Sequence, residues 1–335
     1  MNLGGTIRLN RTGLCILAAI FVLLMLYVTS TKNNATDTNN NIKELSLRQI
    51  LHSAIETAKR GGSQIKNLKG PVDVRNKGKT KEGVNDSVTN ADIKSHCVMY
   101  HSLKQTFPHI RIVSEEEHHC EDVGDLKMNT AELGDLSKVP EVLVSVEDVT
   151  LWIDPLDATK EYTENLLDFV TTMVCIAVKG KPVIGVIHKP YSEKTSWAWV
   201  SKVHSDDLHI PTDPGVNNPK ITISMSHAGE VESVLKKALG ESVTIVPAAG
   251  AGYKSLEVAS GNVTAYYHTT SIKKWDICAG NAILNALGGK MTTSFNDEID
   301  YSNTGTGKVV NDKGLLGTIH NHDWYIDKLS KQKTQ

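Results

Sequence analysis

The stretch "VTLWIDPLDATKEYTE", from Val149 to Glu164, begins as a strand and ends in a run rich in carboxylates. Proline has no N–H to give a β-ladder, so Pro155 predicts that the strand stops there. A turn into a helix then brings Asp154 and Asp157 close together. Like charges that close repel, and a divalent cation offsets the repulsion. Magnesium takes hard oxygen ligands and keeps waters, which suits such a pair. The N–H groups of Ala158 and Thr159 would open the helix and hold an anion. An ordinary Asp-capped helix fits the same spacing, and the stretch alone does not choose between the two readings.

Other acidic motifs stand before and after it. "VTNAD" (Val88 to Asp92) precedes a helix, "SEEE" (Ser114 to Glu117) follows a strand, and "KKWD" (Lys273 to Asp276) starts the last long helix. Taken singly, these read as an N-cap, an acidic loop and a first-turn acid facing the helix dipole. Their order and intervals together are a much stronger signal.

The set resembles the lithium-sensitive, magnesium-dependent phosphomonoesterase family that includes inositol monophosphatases and bisphosphate nucleotidases. Its pattern stands here as Val88 to Asp92, Glu115-Glu116, Asp154 to Thr159 and Trp275-Asp276, within a resemblance running from about Leu45 to Leu329. Ala158 departs from the usual glycine. A methyl group there suits a helical backbone and would crowd a positive φ.

The resemblance implies a mixed α/β fold, a layered αβαβα sandwich of the sugar-phosphatase type. It implies that Glu115, Asp154, Asp157, Asp276 and the Leu156 carbonyl ligate roughly two or three Mg²⁺ ions. Asp92 and Thr159 would deprotonate the attacking water, and the N–H groups of Ala158 and Thr159 would hold the phosphate. Within the family, "DATKEYTE", "SMSH" (Ser224 to His227), "GAGYK" (Gly250 to Lys254) and "KKWD" are similar to the 3′-nucleotidase branch. That branch implies hydrolysis of adenosine 3′,5′-bisphosphate to AMP and phosphate, clearing the by-product of sulfation. Ser224, His227, Gly250 and Lys254 would bind the nucleotide, with Lys254 meeting the 5′-phosphate. The alternative is an inositol monophosphatase releasing myo-inositol and phosphate. Dimers are common in the family, so a homodimer is admitted.

The N-terminus differs from the rest. Gly13 to Ser30 carries no charged residue; Arg8 and Arg11 precede it and an Asn/Thr-rich tract follows. Such a run reads as a transmembrane signal anchor with its N-terminus cytosolic. A cleaved signal peptide, cut near Val28-Thr29-Ser30, is the alternative, and both put the remainder in the secretory lumen. The partition expected is a cytosolic tail at 1–12, the anchor at 13–30, a stem at 31–44 and the phosphatase domain at 45–330. With the resemblance, this implies a single-pass type II protein of the Golgi membrane. Asn34-Ala35-Thr36, Asn85-Asp86-Ser87 and Asn262-Val263-Thr264 fit the N-glycosylation pattern. A net charge of −2 over 335 residues excludes a strongly basic nucleic-acid footprint.

Of the five cysteines, Cys175 and Cys278 lie in apolar runs and read as buried thiols. Cys97 and Cys120 would be free to pair in an oxidising lumen. "HHC" (His118 to Cys120) lacks a second ligand pair at zinc spacing and reads as loop. Apolar residues from Leu47 to Ala58 recur at helical spacing, and Gly61-Gly62 predicts that helix's end. "NKGKTKEG" (Asn76 to Gly83) reads as a mobile basic loop, and Glu115 to Val142 as an irregular surface insertion. β-Branched runs follow through the centre, with a hairpin at Lys179-Gly180-Lys181.

Overall fold

The computed structural model describes residues 20–26, 44–79, 85–121, 123–225, 228–302 and 308–330. It divides into two compact units, Met1–Lys43 and Glu44–Gln335. In the first, residues 20–26 are helical, and each side chain from Ile20 to Leu26 is exposed. Among the described residues no helix is long and apolar enough to cross a membrane. The rest of the expected anchor lies outside the described residues, as do 31–43 of the stem.

The second unit opens with β1 (Glu44–Ser46) and α1 (Leu47–Lys66). The Ser46 hydroxyl accepts the Gln49 N–H and caps the helix. A hairpin follows, β2 (Val74–Lys79) and β3 (Asn85–Thr89), and leads into α2 (Asn90–Thr106). Next come β4 (Arg111–Ser114), β5 (Leu143–Ser145) and β6 (Val149–Asp157). After a single helical turn, α3 (Thr159–Thr163), the chain winds through β7 (Thr171–Val178), β8 (Lys181–Lys189), β9 (Lys194–Trp199) and β10 (Val203–His204). These build a six-stranded sheet of order β10-β9-β8-β7-β6-β4, with β4 and β6 its parallel pair. Every residue of β6 is buried, because both faces of the sheet are covered and no polar alternation is needed.

The chain then alternates strands and helices: β11 (Lys220–Ser224), α4 (Ala228–Leu239), β12 (Thr244–Ala248), α5 (Ala251–Ala259) and β13 (Ala265–His268). It ends with β14 (Ile272–Lys273), α6 (Lys274–Ala286), β15 (Lys290–Thr292), β16 (Val310–Asn311), β17 (Leu315–Thr318) and α7 (His322–Ser330). A second sheet has the order β12-β11-β13-β17-β15. One core joins α1 and α2 to the first sheet through Ile50, Leu103, Leu151 and Ile176. Another sandwiches α5 and α6 between the sheets, with Trp152, Met173, Ile277, Ile283 and Tyr266. A third puts α4 and α7 on the outer face of the second sheet, around Ile221, Leu235, Leu316 and Tyr325. The order of layers is therefore αβαβα, the architecture expected.

Several local expectations are corrected. Helix α1 runs through Gly61-Gly62 to Lys66. A Cβ at Gly61 would lie 2.3 Å from the Met99 sulfur, and one at Gly62 2.5 Å from the His188 ring. These glycines allow close helix and strand approach and do not stop the helix. Strand β6 continues past Pro155 to Asp157, with a bulge between Asp154 and Asp157. In a bulge the missing proline N–H costs no ladder bond. Part of the presumed basic loop is the β2/β3 hairpin. Cys175 and Cys278 form a disulfide, as do Cys97 and Cys120.

Helix α6 lies tightly on β8: a Cβ at Gly185 would sit 2.1 Å from the Ala279 carbonyl oxygen. Backbone cannot yield as a flexible side chain can, so Gly185→Ala should destabilise by about 2 kcal/mol or more. Urea unfolding monitored by tryptophan fluorescence checks this.

Candidate active site

The sheet register brings the first two acids together. Ser114 pairs with Ile153 in the parallel β4/β6 ladder, and the Glu115 N–H donates to the Ile153 carbonyl at 3.1 Å. Glu115 therefore stands beside Asp154, where β6 reaches its bulge. Asp276 arrives from the first turn of α6 and accepts the Lys273 N–H at 3.1 Å. One carboxylate oxygen each from Glu115, Asp154 and Asp276 lie within 4.8 Å of one another. Asp154 Oδ1 is buried and has no hydrogen-bond partner among the described residues.

Asp92 supports this cluster from α2. It closes a capping box in which Oδ2 accepts the Thr89 N–H at 2.8 Å and the Thr89 hydroxyl at 2.5 Å. Its other oxygen, Oδ1, accepts the Thr159 hydroxyl at 2.9 Å. That hydroxyl also lies 3.1 Å from the Leu156 carbonyl. The bulge, α2 and α3 are thus tied at one point, above a small apolar cluster of Ile65, Ala91, Leu156, Tyr162 and Val170.

Asp157 is bound differently. Its Oδ1 accepts the Ala251 N–H at 3.2 Å, and its Oδ2 accepts Gly252 N–H at 2.8 Å and the Thr171 hydroxyl at 3.2 Å. It stands outside the Glu115–Asp154–Asp276 grouping and anchors the start of α5. Gly250 precedes that helix at φ +66, and a Cβ there would meet the Phe169 carbonyl oxygen at 2.8 Å. Only glycine fits that backbone without strain. Ala158 adopts φ 69, ψ 45, so its methyl group does sit in the left-handed region that the helical expectation avoided.

Ser224 ends β11 opposite Ala248 of β12, which places it near the strand end that leads into Gly250. His227 lies outside the described residues. Lys254 is buried, with Nζ 3.4 Å from the Ala248 carbonyl oxygen and 5.2 Å from the centre of the Tyr266 ring. One residue at the centre was missed: Lys77 of the hairpin donates to Glu115 at 2.8 Å and to Glu116 at 2.7 Å. A basic run followed by "SEEE" was the available signal, but nothing local showed that the hairpin would fold over the acids.

Burial dominates the electrostatics. It raises Glu115 to about 7, against the Lys77 charge. Burial also lifts Asp92 to about 6, opposed by the hydrogen bonds from Thr89 and Thr159. Asp154 and Asp276 are pushed well above the carboxylate range, first by burial and then by the Glu115 charge. For Asp157, burial raises the pKa while Lys254 opposes it. Burial lowers Lys254 to about 8, against the pull of Asp157. Lys77 is lowered by burial, but the charges of Glu115 and Glu116 outweigh this and raise it. Desolvated carboxylates with an unpartnered oxygen suit a hard cation.

A sequence description of the inositol monophosphatase family matches residues 46–333. The chain belongs to the inositol monophosphatase family. It is 43% identical over 342 residues to a putative inositol monophosphatase 3 of Drosophila melanogaster, covering 98% of this chain and 96% of that protein. It is also 43% identical over 303 residues to a Golgi-resident adenosine 3′,5′-bisphosphate 3′-phosphatase of Rattus norvegicus, covering 85% and 82%. The fold matches an inositol monophosphatase structure from Anabaena with a TM-score of 0.61 at 18% identity, covering 85% of this chain and 96% of that one. Membership makes the chain a phosphoric monoester hydrolase, of a family that is metal-dependent.

The raised carboxylates have a stability consequence. An acid whose pKa is higher folded than unfolded lends stability below its unfolded value and loses it as pH rises through the folded value. Metal-free protein should therefore lose thermal stability between the ordinary carboxylate range and pH 7, where Asp92 at about 6 and Glu115 at about 7 ionise. Mg²⁺ should raise the melting temperature more at pH 7.5 than at pH 5, roughly, because a cation favours the ionised acids. Differential scanning calorimetry with and without Mg²⁺ reads this directly.

Proposed function

We propose that this chain is a Mg²⁺-dependent phosphomonoesterase that hydrolyses the 3′-phosphate of adenosine 3′,5′-bisphosphate to AMP and phosphate. The observation that carries the reading is the mutually repelling set of buried Asp154 and half-buried Glu115 and Asp276 beside the Asp92–Thr159 hydrogen bond. Relatives named for that nucleotide activity, at 43% identity, supply the substrate. Glu115, Asp154, Asp157, Asp276 and the Leu156 carbonyl would hold roughly two or three Mg²⁺ ions, which supply an activated water and charge stabilisation at the leaving 3′-oxygen.

The chain's own groups do the rest. Thr159 would accept a proton from the water while passing its own to Asp92 Oδ1, a role its hydrogen bond to that oxygen supports. Asp92, at about 6, has the basicity for that near neutrality. The N–H groups of left-handed Ala158 and of Thr159 would take the phosphate oxygens. Ser224, His227, Gly250 and Lys254 serve the nucleotide, Lys254 through the 5′-phosphate charge.

We place the enzyme in the Golgi membrane, single-pass type II, with residues 13–30 as anchor, 31–44 as stem and 45–330 as the lumenal domain. The exposed apolar run from Ile20 to Leu26 supports an anchor. Two disulfides support an oxidising compartment, and Asn262 is exposed for glycosylation. Relatives named as Golgi-resident supply the organelle. A homodimer fits the family.

The second reading, an inositol monophosphatase, rests on relatives of that name. Phosphate release by the full chain, measured with adenosine 3′,5′-bisphosphate and with inositol 1-phosphate, separates the two. Preference for the nucleotide is expected, and preference for the inositol ester would reject the substrate assignment. Asp154→Asn should fold normally and lower Mg²⁺-dependent turnover by roughly a thousandfold or more. Full activity in that variant would remove Asp154 from the centre.

A further inference from the structure

We propose that the disulfides Cys97–Cys120 and Cys175–Cys278 are positioning devices for the carboxylate centre, holding its acids together before a cation arrives. The proposal rests on the metal-centre reading above. Each bridge ties together parts of the fold that position different acids: one joins α2 to the segment after Glu115, the other joins α6 to β7, the ladder neighbour of the Asp154 strand. Cys97 lies in α2, the helix whose first turn carries Asp92, and Cys120 lies in the segment that leaves Glu115. Cys175 lies in β7, whose ladder pairs Cys175 with Trp152 and Met173 with Asp154. Its partner Cys278 stands in α6 beyond Asp276. The Cys175–Cys278 bridge is fully buried, at 1% and 0% exposure, so it works inside the layer between the sheets.

The physical need is plain. Glu115, Asp154 and Asp276 come from three elements, and a cation-free cluster pushes them apart. The easiest relaxation is for α6 to slide from β7, or for the segment after Glu115 to peel from α2. Each disulfide blocks one of those movements. Noncovalent packing opposes the same movements, but it can yield by small shifts, whereas a covalent bridge cannot. The cation then binds acids already gathered, and the ordering need not be done at the moment of binding.

The test uses the full chain in detergent, with Mg²⁺ alone as the probe and calorimetric titration as the readout. Of the five cysteines, the pairing leaves Cys15, so denatured, unreduced protein should show one free thiol. Five reactive thiols would overturn the proposal. Mg²⁺ Kd is expected to rise roughly tenfold in both Cys97→Ala/Cys120→Ala and Cys175→Ala/Cys278→Ala, by analogy with loss of outer-shell partners. Near-native circular dichroism and an unchanged substrate KM at saturating Mg²⁺ should accompany that rise. If the buried pair fails to fold without its bridge, the Cys97→Ala/Cys120→Ala variant decides alone. Wild-type Mg²⁺ uptake with an unshifted Kd in a folded variant overturns the positioning role and leaves the metal centre standing. A wild-type chain that takes up no Mg²⁺ overturns both.

Discussion

Bringing carboxylates of Glu115, Asp154 and Asp276 within 4.8 Å of one another in a largely buried place sets like charges against each other and away from water. Surface acids can diverge into solvent, but these are delivered by a parallel β4/β6 ladder, a strand bulge and a helix start. The arrangement is locally unfavourable, and other parts of the unit compensate. Lys77 pairs with Glu115 and Glu116, the Lys254 charge favours ionised Asp157, and the N–H groups opening α5 hold both Asp157 oxygens. What none of these satisfies is Asp154 Oδ1. Native proteins seldom leave such an atom unmet, and a cation is the partner that suits its charge.

The same reasoning explains the shape of the bulge. Continued regular pairing would point Asp154 and Leu156 to one face and Pro155 and Asp157 to the other. The extra residue between Asp154 and Asp157 breaks that alternation. Asp154 can then face Glu115 and Asp276 while Asp157 turns to α5. Left-handed Ala158 completes the change of direction and releases the chain into α3. A methyl group in that region costs on the order of 1 kcal/mol relative to glycine. The Asp92–Thr159 and Asp157–α5 hydrogen bonds hold the turn from both sides, and strain of this kind persists where surrounding contacts fix it.

Much of this was legible in sequence wherever a residue's chemistry speaks locally. Helical periodicity gave α1, apolar β-branched runs gave the first sheet, and the acids gave the centre through their order. Legibility ended where meaning depends on a distant partner. Gly61-Gly62 looks like a helix stop until Met99 and His188 are seen against it. Pro155 looks like a strand stop because a bulge is invisible without its ladder. Cys175 and Cys278 are far apart in sequence, at a separation of 103, and apolar surroundings suit thiol and disulfide equally. Lys77 lies 38 residues from Glu115, so a basic run and an acidic run gave no sign of meeting.

These misreadings share a physical origin. Each concerns a residue whose meaning is set by a distant element, and at several glycines that element approaches closely. Gly185 admits α6 close to β8, and α6 carries Asp276. Gly250 and Gly252 admit α5 close to Asp157. A centre built from mutually repelling groups needs its supporting elements nearer than ordinary side chains allow. Small residues and covalent bridges meet that need together: glycines remove the steric barrier to approach, and disulfides remove the freedom to retreat.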